Sequence, residues 1–65
     1  MKYYYVSFKD NTGKERYGIW RYAETPERAI YHADIFFGLC HPTLYSPDYT
    51  AVVERETDKA VSISF

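Results

Sequence analysis

Residues 3–20 of the chain read YYYVSFKDNTGKERYGIW. Two runs rich in aromatic and β-branched residues flank a short polar segment, and this pattern is typical of an antiparallel β-hairpin. Asn11, Thr12 and Gly13 fit a three-residue loop in which Gly13 takes the left-handed conformation. The sequence therefore predicts a hairpin over residues 3–22, with its turn at residues 11–13.

Charged residues beside the loop indicate the register of this hairpin. The predicted loop places Lys9 opposite Glu15, whereas a slip of one residue would place Lys9 opposite Arg16. Like charges directly opposite each other destabilise a pair of strands, so the first register is favoured. Its further pairs are Asp10 with Lys14, Val6 with Gly18, Tyr5 with Ile19 and Tyr4 with Trp20.

Residues 25–38 carry the pattern of an amphipathic helix. Thr25 suits the N-cap, Pro26 suits the first helical position, and Gly38 suits the point where the chain leaves the helix. Apolar residues at helical spacing predict a stripe that packs on a sheet, formed by Ala29, Ile30, Ala33, Phe36 and Phe37.

The remaining residues predict a loop and a second hairpin. Residues 39–50 contain two prolines and no periodic pattern, which favours an irregular connection. Residues 51–65 predict two antiparallel strands around a turn at residues 57–59. The expected pairs are Val53 with Ile63, Ala51 with Phe65 and Glu54 with Ser62.

The order β-β-α-β-β predicts a single small α+β domain with one helix packed on one face of an antiparallel sheet. Strand order stays open, because the two hairpins can join through either of their strands. The face expected under the helix carries Tyr4, Val6, Phe8, Trp20, Val53, Ile63 and Phe65. The face expected to stay open carries Tyr3, Tyr5, Tyr17, Ile19 and Arg21.

Length and composition exclude several classes of protein. A chain of 65 residues holds one small core, and its single cysteine, Cys40, excludes an intramolecular disulfide framework. The longest apolar stretch is far shorter than the ~20 residues that span a membrane, and no signal sequence precedes the first strand. We therefore expect a cytoplasmic protein without membrane contact. A formal net charge of -1 argues against binding to duplex DNA.

The open, tyrosine-rich face carries the main functional hypothesis. Contiguous exposed apolar patches mark interaction sites, and Tyr and Arg are enriched in interface hot spots. We expect a non-catalytic module that binds a protein partner, with a homodimer through this face as the first candidate. A dimer in which an exposed sheet edge pairs with the same edge of a second copy is the alternative. An accessory protein of a phage or other mobile element that occludes a host protein is the setting we favour. The expected contacts are Tyr3, Tyr5, Tyr17, Ile19 and Arg21, and the alternative is that the tyrosines merely stack at a solvated surface.

Arg28, Tyr31 and Ile35 lie beside the apolar stripe of the predicted helix and form a candidate second surface. The alternative is that the stripe is wide and that the loop through Leu44 and Tyr45 covers Tyr31 and Ile35.

Two further functions have weaker support. Tyr3, Tyr5, Tyr17 and Arg21 would stack unpaired bases in a binder of single-stranded nucleic acid, but the chain lacks a basic excess. An enzyme or metal site would centre on Cys40 and His41 with His32 and Asp34, but their spacing fits neither a zinc site nor a nucleophile with its base. We predict no catalytic residue, no cofactor and no metal.

Overall fold

The computed structural model describes residues 1–61, which form a three-stranded antiparallel sheet and one helix. The elements are β1 (Lys2–Lys9), β2 (Glu15–Ala23), α1 (Pro26–Cys40) and β3 (Thr50–Thr57). The strand order is β2-β1-β3, so the N-terminal strand is central and both of its neighbours pair with it antiparallel. The α+β fold is confirmed with the order β-β-α-β. The pairs predicted for Ser62, Ile63 and Phe65 lie outside the described residues.

The loop between β1 and β2 has the predicted conformation. Gly13 has a φ of 85°, and its N–H donates to the carbonyl of Asp10 at 3.0 Å. The Asp10 carboxylate accepts from the N–H of Thr12 at 2.9 Å and from the N–H of Lys14 at 3.1 Å. The Thr12 hydroxyl donates to the same carboxylate, and this bond is the first of several that hold the pKa of Asp10 below its ordinary value.

The predicted register is correct beside the loop and wrong further along the two strands. Lys9 lies opposite Glu15 as expected, but a bulge between Phe8 and Lys9 leaves Arg16 as an extra residue in β2. The predicted register would have set Arg16 opposite Phe8 on the face that the helix covers. The bulge instead sets Tyr17 opposite Phe8 and leaves Arg16 exposed.

From this point every residue of β2 faces the side opposite to the prediction, because side chains alternate along a strand. The observed pairs are Val6 with Ile19, Tyr5 with Trp20 and Tyr4 with Arg21, in place of the three predicted pairs. Trp20, expected under the helix, therefore lies on the open face, and Ile19 takes its place in the core.

The hydrophobic core lies between α1 and one face of the sheet. Tyr4, Val6 and Phe8 are buried there, as predicted. The other buried apolar residues are Ile19 and Ala23 from β2 and Ala29, Ala33 and Phe37 from α1. Ile30, Phe36 and Val53 pack partly buried against this core, so the predicted helical stripe is confirmed.

The start of α1 agrees with the prediction and its end does not. Thr25 is the N-cap, and its side chain accepts from the N–H of Arg28 at 3.2 Å. The helix continues through Gly38 to Cys40, and the N–H of His41 donates to the carbonyl of Phe37 at 2.9 Å. Pro42 explains the later end, because a residue preceding proline is disfavoured in helical conformation.

The segment between α1 and β3 is irregular, as predicted, but it contributes side chains to the core. Leu44, Tyr45 and Tyr49 pack against the buried cluster, and the ring of Tyr45 meets that of Phe37 edge to face at 5.3 Å. The Tyr45 hydroxyl donates to Asp34 at 3.0 Å and ties the segment to α1. This bond is the main reason that the pKa of Tyr45 lies above its ordinary value.

Within residues 1–61, the single helix is not long and apolar enough to cross a bilayer.

Candidate functional site

The side of the sheet opposite α1 carries four large aromatic side chains and one arginine. We call this surface the aromatic face; it consists of Tyr3 and Tyr5 from β1, Trp20 and Tyr22 from β2, and Arg55 from β3. Tyr22 is exposed, and Tyr3, Tyr5 and Trp20 are half-buried because they cover one another. All three described strands contribute to it.

The aromatic rings form two cross-strand pairs. Tyr3 and Tyr22 lie directly opposite each other, and their ring centres are 4.5 Å apart. Tyr5 and Trp20 are also opposite, and their rings meet edge to face with centres 5.4 Å apart. Such pairs contribute about 0.5–1.5 kcal/mol beyond the area that they bury. The aromatic face is thus ordered by its own contacts.

Arg55 lies against the second of these pairs. Its guanidinium carbon is 4.9 Å from the ring centre of Tyr5 and 5.7 Å from that of Trp20, within the range of cation–π attraction. A bulge in β3 between the partners of Tyr5 and Val6 accompanies this placement. The arginine is therefore held flat on the face with its charge next to two rings.

Tyr5 is fixed at its other end by Glu15. Its hydroxyl donates to one carboxylate oxygen of Glu15 at 3.1 Å, and the buried Ser7 hydroxyl donates to the other at 2.5 Å. The phenol lies over Gly18, where a Cβ atom would come within 2.5 Å of the Tyr5 Cζ. Burial, followed by the bond to Glu15, raises the pKa of Tyr5 above its ordinary value.

Charged side chains lie at the rim of the aromatic face. Lys9 donates to Glu54 at 3.2 Å on this side of the sheet, whereas Lys2 and Glu56, which approach to 3.5 Å, lie on the helix side with Tyr4. The bond from Lys9 is the main cause that holds the pKa of Glu54 below its ordinary value. The rim therefore carries carboxylates as well as cations.

Two of the five predicted contact residues, Tyr3 and Tyr5, lie on the aromatic face. The other three lie on the side covered by α1, because the bulge at Arg16 reverses their direction. Tyr17 stacks on Phe37 with ring centres 4.1 Å apart, Ile19 is buried, and the Arg21 guanidinium lies 4.3 Å from the ring centre of Phe36. The predicted composition of the open face is corrected accordingly.

Sequence reasoning missed Trp20, Tyr22 and Arg55. A signal for the first two was present, since the predicted register aligned Arg16 with Phe8 on the core face, where an arginine is disfavoured. Gly18 was a second signal, because a glycine within a strand marks a bulge or a close approach. No comparable signal marked Arg55, whose position depends on which strand pairs with β1.

The candidate second surface is exposed. Tyr31 is 59% exposed and Ile35 is 43% exposed, so the loop through Leu44 and Tyr45 does not cover them. Ile35 also lines a groove of about 420 Å³ between α1 and β2, whose other lining residues are Arg21, Tyr22, His32, Phe36 and Leu39. Arg28 and Tyr31 do not line it.

The Cys40 thiol is exposed, and the described part of the chain has no group of three or more side chains able to hold a metal ion. Comparison with protein-family models, curated proteins and solved structures found no match to this chain. Any functional assignment therefore depends on the geometry of the aromatic face.

Proposed function

We propose that this protein is a non-catalytic protein-binding module and that the aromatic face is its contact surface. The observation that carries the proposal is the ladder of Tyr3 with Tyr22 and Tyr5 with Trp20, with Arg55 lying on the second pair. Trp, Tyr and Arg are the residue types most enriched in interface hot spots. Here they are gathered on the one side of the sheet that the helix leaves open.

Preorganisation of these side chains favours binding. Tyr5 is held by Trp20 on one side, by Arg55 above its ring, and by Glu15 at its hydroxyl. Ordering a mobile side chain at an interface opposes binding by about 0.5–1.5 kcal/mol. Side chains that are already ordered in the free protein avoid most of that loss.

The charges favour a protein over a single-stranded nucleic acid. Arg55 lies over the rings of Tyr5 and Trp20, on which bases would stack, and the carboxylates of Glu15 and Glu54 on this side of the sheet would repel phosphates. A folded protein with its own mixed rim of charges complements this arrangement better. A cytoplasmic host protein that is occluded by a phage or mobile-element accessory protein remains our hypothesis for the partner.

The test compares one double variant and one single variant with the wild-type chain. Tyr3→Ser combined with Tyr5→Ser removes both tyrosines of the central strand, whereas Tyr31→Ser removes an exposed tyrosine from α1, away from the face. A partner found by cross-linking is purified, and its dissociation constant is measured by calorimetry. We expect the double variant to weaken binding by about a hundredfold or more, the size of a hot-spot loss, and Tyr31→Ser to leave it unchanged.

Unchanged affinity in a double variant that keeps its far-ultraviolet spectrum would overturn the proposal. So would tight, salt-dependent binding of single-stranded oligonucleotides that quenches Trp20 fluorescence, because that result identifies a different class of ligand.

A further inference from the structure

The outer edge of β2 is unprotected from Tyr17 to Ala23, beyond the bulge at Arg16. Among residues 1–61 no strand pairs with it, since the sheet order is β2-β1-β3. Edge strands are commonly blunted by bulges, prolines or charged residues. The segment from Tyr17 to Ala23 contains no proline and no register shift, and its single charged residue, Arg21, lies over the ring of Phe36 on the helix side.

The outer edge of β3 is different. The bulge opposite Tyr5 and Val6 interrupts it, and three successive charged residues, Glu54, Arg55 and Glu56, follow there. Bulges and charged residues of this kind discourage an edge strand from pairing with another strand. Of the two edges formed by residues 1–61, β2 is thus the one open to another strand.

The sequence of β2 complements itself when a second copy pairs antiparallel about Ile19. Tyr17 then lies opposite Arg21 of the other copy, and Gly18 lies opposite Trp20. An aromatic ring beside a guanidinium is a favourable cross-strand pair, whereas the space over Gly18 is already filled by Tyr5 of the same copy. The regular part of this register runs from Tyr17 to Arg21 in each copy, and no like charges meet within it.

Registers shifted by one residue are unfavourable. Within residues 17–23, one shift sets Gly18 opposite Ile19 and the other sets Ile19 opposite Trp20. Either shift would pair core-facing with open-facing positions and put the two helices on opposite faces of the sheet. The centred register keeps both helices on one face.

The helix side of the molecule fits the same arrangement. α1 contacts β2 more than β1 or β3, so it lies toward this edge. Its exposed apolar residues Ile35 and Leu39, the latter 77% exposed, line the groove between α1 and β2. A two-fold axis normal to the sheet sets the copy's helix antiparallel beside α1, and paired strands only about 4.8 Å apart bring the two helices close.

We propose that a second copy of this chain occupies the groove and the β2 edge, forming a continuous sheet in which Ile35 and Leu39 of each copy pack against the other copy's helix. This contact lies at the edge and helix side of the sheet, and Tyr22 alone borders both the groove and the aromatic face. Trp20 and Tyr22 lie on β2 itself, so edge pairing would join two aromatic faces into one surface across the dyad. The homodimer expected from the sequence is thereby assigned to the edge instead of the face.

Sedimentation equilibrium of the full chain over a range of concentrations provides the first test. Ile35→Lys combined with Leu39→Lys introduces charge into the groove at exposed positions and should raise the dimer dissociation constant by about tenfold or more. Tyr31→Lys changes an aromatic residue of α1 that is 59% exposed and does not line the groove, and it should leave the constant unchanged.

Amide hydrogen exchange of the wild-type chain provides a test that needs no variant. Alternate amides between Tyr17 and Ala23 point away from β1, and we expect them to be protected in the dimer and to lose protection on dilution. A chain that stays monomeric at all concentrations would overturn the proposal, as would a dimer in which these amides exchange freely.

The proposal for the aromatic face and the proposal for the β2 edge can be tested independently. Tyr3→Ser with Tyr5→Ser leaves β2 intact and should keep the dimer while losing the partner. A dimer lost in that variant but kept in Ile35→Lys with Leu39→Lys would show contact through the aromatic face and sink the edge assignment.

Discussion

Gly18 is the residue on which the geometry of Tyr5 depends. The phenol occupies the space above this glycine, and a Cβ atom there would overlap its hydroxyl and lie 2.5 Å from Cζ. Gly18→Ala should therefore displace Tyr5, breaking its bond to Glu15 and its contact with Trp20. We expect the free energy of unfolding, measured with denaturant, to fall by about 1 kcal/mol.

The effect of Gly18→Ala on the free energy of unfolding should change sign when Tyr5 is absent. In a Tyr5→Ser background the remaining near atom is the Glu15 Oε2, 3.1 Å from the added Cβ and at the end of a flexible side chain, and alanine is favoured over glycine in a strand by about 0.5–1 kcal/mol. Gly18→Ala should then be neutral or stabilising. A loss of equal size in both backgrounds would show that Tyr5 does not account for the effect.

At the scale of the element, the bulge in β2 predicts that the fold tolerates deletion of one residue from this strand. Arg16 is the extra residue, exposed and in contact with Asp10 at 3.5 Å. Deleting it should leave Tyr17 opposite Phe8 and Trp20 opposite Tyr5, and exposed ion pairs contribute little. We expect the thermal midpoint to change by only a few degrees and the Trp20 emission spectrum to stay unchanged.

Deletion of Gly18 is the matched control, because it removes a residue from the regular part of β2. It should reverse the faces of one flank of the strand and abolish cooperative unfolding. If deletion of Arg16 were equally damaging, the bulge would have a structural role beyond absorbing one residue.

The bulge also marks the part of this fold that could not be predicted from the sequence. Local signals were sufficient for the loop at Gly13, the N-cap at Thr25 and the inward side of β1, since each depends on neighbours in the chain. The side of the sheet that each residue of β2 faces could not be predicted from such local signals. The bulge at Arg16 reverses which residues of β2 face α1 and which face the open side. Only packing against α1 selects between these two arrangements.

Two of the five residues of the aromatic face were therefore predictable. Tyr3 and Tyr5 follow from the alternation in β1, which has buried neighbours on the other side. Trp20 and Tyr22 follow from the bulge, and Arg55 follows from the pairing of β3 with β1, a contact between residues fifty positions apart. Such long-range pairing leaves little trace in a single sequence.

At the scale of the whole molecule, the sheet separates two aromatic clusters. On the helix side, Tyr17 and Phe37 stack within the core, and on the open side Tyr5 and Trp20 form the aromatic face. A chain of 65 residues buries little surface, so its stability is small and each ordered tyrosine matters. The state of ionisation of these tyrosines should consequently control the stability of the molecule at high pH.

Three tyrosines have raised pKa values in the folded chain. Burial is the main cause for Tyr5 and Tyr17, and the bond to Asp34 is the main cause for Tyr45. Each ordinary value is 10.0, so the unfolded chain loses these protons first as the pH rises. Their contribution to folding is complete below about pH 10 and is lost as the pH passes through the raised values.

We expect the free energy of unfolding to decline steadily above pH 10, with the decline becoming shallower in Tyr5→Phe because that variant removes one of the three groups. Denaturant unfolding at a series of pH values measures the slope, and ultraviolet absorbance of tyrosinate in the folded chain measures the pKa values directly. Tyr45→Phe removes another of the groups from a different part of the molecule, so it should flatten the same decline independently. A wild-type stability that rises above pH 10, or a slope identical in both variants and the wild type, would contradict the assignment of these hydroxyls to buried or hydrogen-bonded positions.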